Sequence, residues 1–102
     1  MMNQMRPAVK VRRLRKGKML GIASLEFGNP ERDGFRISGF KILIGDYDET
    51  GYVDEETGRY IWIAPPSYRD EIGGFKNIFR AAPHIWKEYS VAIAKEFMEG
   101  SA

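Results

Sequence analysis

The chain has no cysteine and a single histidine, His84, among its 102 residues. Without thiols there are no disulfides and no thiol chemistry, which fits a reducing cytosol. One histidine lacks the partners of a zinc site or of a nucleophile–base pair, so His84 reads as a surface or capping group. No convergent acid, base and nucleophile emerge, and a non-enzymatic protein without metal or cofactor is expected. Long apolar runs are missing too. The basic N-terminus lacks the roughly 7–15-residue apolar stretch of a signal peptide, and no run approaches the ~20 apolar residues of a membrane span. The expectation is a soluble, cytoplasmic protein with no membrane partner.

Acids are absent from the first 25 residues, which hold seven bases: Arg6, Lys10, Arg12, Arg13, Arg15, Lys16 and Lys18. The other residues carry nine basic and 14 acidic groups, a net −5, so the overall +2 conceals a polarised chain. Polarised charge focuses fields where net charge alone would not. The acidic pole is Asp46–Glu56, with six acids and no base.

The apolar pattern predicts one α+β domain over residues 9–100, preceded by a flexible N-terminus, residues 1–8. Strands are expected at Val9–Arg15, Met19–Phe27, Phe35–Ile44 and Tyr60–Ala64, with Lys16-Gly17 turning the first hairpin. In the second strand Met19, Gly21, Ala23, Leu25 and Phe27 share a face, opposite Leu20 and Ile22. In the third, Phe35 and Ile37 are out of phase with Phe40, Ile42 and Ile44. A bulge or bend at Gly39 would restore the phase. Residues 45–59 should project as an acidic hairpin arm using Tyr47, Tyr52 and Val53. Pro83 suits a helix start, and Ile85, Trp86, Tyr89, Ala92, Ile93 and Phe97 recur at helical spacing until Gly100. The expected architecture is an antiparallel sheet of four or five strands with a C-terminal helix packed on it.

Three groups of residues invite a functional reading. Pro65-Pro66 cannot continue a central strand, so Ser67, Tyr68 and Arg69 enter an ordered surface loop that reverses at Gly73-Gly74. Arg69 and Lys76 flank that reversal, where Arg69 suits bidentate contact with phosphate or guanine and Tyr68 suits stacking on an unpaired base. Pairing of Arg69 with Asp70 or Glu71 is the structural alternative. The cluster Lys10–Lys18, including Arg12, Arg13, Arg15, Lys16 and Lys18, reads either as a phosphate-binding stripe or as a solvated face that keeps an edge strand from aggregating. Finally, Asp46-x-Asp48-x-Thr50-Gly51-Tyr52-x-Asp54 has the spacing of a calcium loop's first nine positions. Thr57 stands where a bidentate Glu is required, so a solvated acidic hairpin is expected instead.

The segment Ile61–Ile78 also resembles part of the SpoVG family, the stage V sporulation protein G regulators of bacteria. Matching positions are Ala64, Pro66, Ser67, Arg69, Gly73, Phe75, Lys76 and Ile78. Upstream, VKVRRL (Val9–Leu14), GKMLGIASLEF (Gly17–Phe27) and FRISGFKILIG (Phe35–Gly45) are similar to the family's first three strands in order. The resemblance implies a homodimeric DNA- or RNA-binding regulator linked to septation or sporulation control, with Arg69 carried over directly. Tyr68 replaces a basic residue of the family pattern, Asp70 and Glu71 replace uncharged ones, and residues 45–59 replace a tight turn. A rival expectation is a protein-interaction module whose arm, residues 46–56, binds a basic partner or the Lys10–Lys18 stripe of a second copy.

Overall fold

The computed structural model describes residues 6–69, 71–77 and 79–100. Strand β1 spans Ala8–Lys16 and β2 Met19–Phe27; Gly17, at φ 62°, occupies the turn between them. A left-handed backbone there is what the expected hairpin turn requires of glycine. Strand β3 is Phe35–Gly45 and β4 Tyr60–Ala64, and the four form an antiparallel sheet in the order β1-β2-β3-β4. Helix α1, Pro83–Glu99, packs on this sheet in an α+β arrangement. No helix among the described residues is long and apolar enough to cross a membrane.

Side-chain alternation would put a sheet's apolar residues on one face only if pairing were regular. Here three irregularities interrupt it. Across β2 and β3, Ala23 pairs with Phe40 but Ser24 with Ser38, leaving Gly39 as the extra residue at φ 98°. This is the phase shift expected at Gly39, and it moves Phe40, Ile42 and Ile44 onto the buried face occupied upstream by Ile37. A second irregularity inserts Leu20 between the pairs Met19–Leu43 and Gly21–Ile42. Leu20 is consequently buried, whereas Met19 joins the opposite face, contrary to the simple alternation expected of β2. The third falls on β1 between Arg13 and Lys16. Bulges bend and twist the strand that carries them. Successive bulges let α1 contact both outermost strands, β1 and β4.

The core joins Leu20, Ala23, Leu25, Phe40, Ile42, Ile44, Ile61 and Ile63 of the sheet to Tyr89, Ile93, Ala94 and Phe97 of the helix. Spacings of four and three residues bring these helical side chains to one stripe, as expected, except that Ala94 takes the fully buried place and Ala92 is only half-buried. Aromatic rings extend the contact in a chain: Phe35 stacks on Phe27 at 4.8 Å, Phe27 meets Tyr89 edge-on at 5.9 Å, and Phe79 touches Tyr89, Phe40 and Trp86. Phe35 is nevertheless 56% exposed and caps the cluster from outside.

Two expectations about chain ends and loops change. Composition predicts a flexible N-terminus through residue 8, but Ala8 already pairs with Glu26, and Arg6 and Pro7 line a cleft beside Glu88, Tyr89 and Ala92 of α1. Residues 1–5 lie outside the described residues. The acidic connection does not project as an arm. Thr50 and Asp54 are buried, the Thr50 hydroxyl donates to the Ile61 carbonyl at 2.8 Å, and Ile61 N–H donates to the Tyr52 carbonyl at 3.0 Å. Val53 forms a bridge with Tyr60. The connection therefore runs back along β4 and covers the edge that β3 leaves open, a place where exposed backbone would otherwise recruit foreign strands.

Candidate functional site

The di-proline ends β4 as expected. Pro66 is buried beside the Gly39 bulge, where a Cβ added to the glycine would sit 3.5 Å from the proline ring. Beyond it the expected loop is a hairpin, β5 Ser67–Arg69 and β6 Phe75–Asn77, separate from the main sheet and turning through Gly73 at φ 90°. Its register makes Tyr68, and not Arg69, the cross-strand partner of Lys76, while Arg69 pairs with Phe75. Lys76 is exposed. The side chains of Tyr68 and Arg69 lie outside the described residues, as do Asp70 and Ile78, so the proposed roles of Arg69 and Tyr68 rest on sequence.

The basic cluster of β1 divides into two sets. Arg13 lies on the helix side, its guanidinium 4.3 Å over the Phe97 ring, and donates to the Phe97 carbonyl. It thereby serves one of the last-turn carbonyls of α1, which has no basic residue of its own in that turn. Arg15 reaches Asp54 at 2.6 Å and Glu56 at 3.3 Å. Burial pushes the Asp54 carboxyl up, but hydrogen bonds from Arg15 and from the Thr57 hydroxyl and N–H outweigh it and hold the carboxyl below the usual aspartate range. The same bond raises the Arg15 guanidinium above its ordinary value. Asp54 thus receives the chain's own cation, and among the described residues no group of three or more His, Cys, Asp or Glu side chains is placed to hold a metal ion. Elsewhere, Arg36 is paired with Glu26, Arg59 with Asp46, and the Lys87 ammonium with the Glu49 carbonyl, each at 2.7 Å.

The second set points the other way. Pairing of strands brings side chains into rows across the sheet face turned away from α1. One row runs Arg12, Ile22, Lys41, Ala64, and its neighbours are Lys10, Ser24, Ser38 on one side and Lys16, Met19, Leu43, Trp62 on the other. Lys10, Arg12, Lys16 and Lys41 are exposed and, with Lys18 in the turn, enter no ion pair among the described residues. Arg12 and Lys41, two strands apart, stand about 10 Å from each other. The face combines cations with half-buried apolar and aromatic side chains.

Lys41 and Trp62 were absent from the residues singled out in the sequence. The signal for them was present in the phase: once Phe40, Ile42 and Ile44 point inward, Lys41 and Leu43 point outward, and buried Ile61 and Ile63 place Trp62 on that same outer face. At this end of the sheet Lys18, Gly45, Tyr47, Arg59 and Trp62 border a cleft of about 310 Å³. The Trp62 indole N–H donates to the Ile44 carbonyl at 3.3 Å, and Tyr47 is 78% exposed. Comparison of the chain with family models, with curated proteins and with solved structures gives no match.

Proposed function

We propose that this chain is a non-enzymatic, SpoVG-like nucleic-acid-binding regulator that holds phosphates against the outer face of its sheet. The observation that carries this reading is the sorting of its cations. Arg13 and Arg15 are committed within the fold, whereas Lys10, Arg12, Lys16, Lys18 and Lys41 gather on one face and its bordering turn without acidic partners among the described residues. Such a face attracts a polyanion and releases its counterions. Lys76, with Arg69 by resemblance, extends the reading to the hairpin β5–β6. The resemblance further suggests a homodimer acting in the cytoplasm in septation or sporulation control. Interaction through the acidic segment is the weaker reading, since Asp54, Glu56 and Asp46 already face arginines of the same chain.

Anisotropy titrations of mixed DNA and RNA oligomers at rising salt test the proposal. Affinity should fall steeply, and Arg12→Glu with Lys41→Glu should abolish binding measured near physiological salt. No binding at low salt, or a log–log slope near zero, would refute it.

A further inference from the structure

The cleft beside Trp62 has a character different from the cationic rows next to it. Its lining includes Lys18 and Arg59 but also Asp46 and Glu49, and Arg59 and Asp46 neutralise each other at 2.7 Å. A charge-balanced cleft offers little to a second phosphate. It does offer two aromatic side chains from different elements, Trp62 of β4 and Tyr47 after β3, and uncharged heterocycles stack on such rings.

The tryptophan is also held in place before any ligand arrives. Its indole N–H is bonded to the Ile44 carbonyl, and its ring edge lies over Gly45, where a Cβ would come within 2.8 Å of Nε1. On the other side of the cleft, the Lys18 carbonyl accepts from Ile44 N–H at 3.0 Å, which fixes the basic turn against the end of β3. Trp62 is at the same time the last member of the outer-face row Lys16, Met19, Leu43, Trp62. A strand whose phosphates follow the cations of that face reaches the cleft at the row's aromatic end.

We propose that this cleft takes one unpaired base of a bound single strand, stacked against Trp62 and Tyr47, with the adjoining phosphate on Lys18. The inference rests on the nucleic-acid reading above and narrows it to single-stranded DNA or RNA, because a base inside a duplex cannot enter a side cleft. The cleft volume lies at the lower end of ligand-binding clefts, ~300–1,000 Å³, and suits a single base better than a larger ligand.

The test uses Trp86→Phe, which leaves Trp62 as the only tryptophan. Saturation with a short single strand should quench Trp62 emission, and an equal-length duplex should quench it much less. Tyr47→Ala, at an exposed position, and Trp62→Ala should each weaken single-strand binding by about 5- to 150-fold, the loss of roughly one base stack, with duplex affinity unchanged. Circular dichroism confirms that each variant is folded, and Tyr47→Ala carries the test should Trp62→Ala unfold. Binding that persists with unmoved Trp62 emission, or equal losses for single strand and duplex, would overturn the cleft while leaving the nucleic-acid reading standing. Absence of binding to either form at low salt would overturn both.

Discussion

Asp54 is the residue on which the acidic segment turns. Its side chain is 3% exposed against 39% for Arg15, and it accepts from Arg15, the Thr57 N–H and the Thr57 hydroxyl. Asp54→Asn keeps the shape but removes the charge that two of these donors and Glu56's partner were arranged around. With Arg15 partly in water, the expected cost at pH 7 is about 1–2 kcal/mol, below the upper end for hydrogen bonds to charged groups, read as a lowered urea midpoint at unchanged slope. The pH dependence has a definite sign. A carboxyl whose folded pKa is depressed contributes stability that is fully present above its unfolded value, about 3.9, and is lost as pH falls through the folded value. The gap between wild type and Asp54→Asn should therefore be constant from pH 7 to about 5 and close on further acidification. A gap that widens in acid would contradict the assigned role. Gly45 supports a second residue-scale prediction. Alanine there meets the indole edge within 2.9 Å, so Gly45→Ala in the Trp86→Phe background should displace the indole, shift Trp62 emission and weaken single-strand binding, with a fall in melting temperature from the lost bond to the Ile44 carbonyl.

At the scale of elements, much of the sheet was legible because its signals are local. Gly17 needed a left-handed turn, Gly39 marked the change of phase, Pro83 opened the helix and the stripe from Tyr89 to Phe97 kept helical spacing. Leu20 was not legible. Its burial depends on an extra residue in the pairing of β2 with β3, and the adjacent Gly21 does not announce that bulge by a left-handed backbone, answering instead to the close approach of the Arg12 carbonyl, 2.6 Å from where a Cβ would sit. The acidic segment departs from its composition for a related reason: composition speaks for solvent, whereas the buried Thr50 and Asp54 answer to partners far along the chain, at Ile61 and Arg15. Of the basic cluster, the sequence could locate the charge but not its destination. Arg12 and Arg13 are adjacent in sequence, yet one faces outward and the other lies over Phe97. Element packing can be checked at the helix. Ile93 is fully buried, and Ile93→Ala should cost about 2–5 kcal/mol, whereas Ala92→Ser, at a half-buried position, should stay under about 1 kcal/mol.

For the whole molecule, the decisive property is where charge remains after folding. The sheet brings its two outer strands to the same helix, and the connection lining β4 presents Asp54 to Arg15 of β1, so one ion pair ties opposite ends of the sheet order together. That closure commits Arg15, as the helix terminus commits Arg13, and leaves Lys10, Arg12, Lys16 and Lys41 on the outer face with Lys18 in its bordering turn. Salt dependence counts them. For single strands the slope of log affinity against log salt is about −0.7 per phosphate neutralised. Five contacts, from Lys10, Arg12, Lys16, Lys18 and Lys41, give about −3.5 on that basis. Arg12→Gln with Lys41→Gln should reduce the slope by about 1.4, and Lys95→Gln, on the exposed surface of α1, should leave it unchanged. Neutralising Arg13 provides the sharper contrast. It lies beside Arg12 in sequence and carries the same charge, so a purely compositional attraction would treat the two alike. If folding decides which cations meet phosphate, Arg13→Gln lowers the melting temperature and leaves the slope of the folded protein near its wild-type value, while Arg12→Gln does the reverse. Equal slopes for the two variants would mean that the outer face has no special part in binding.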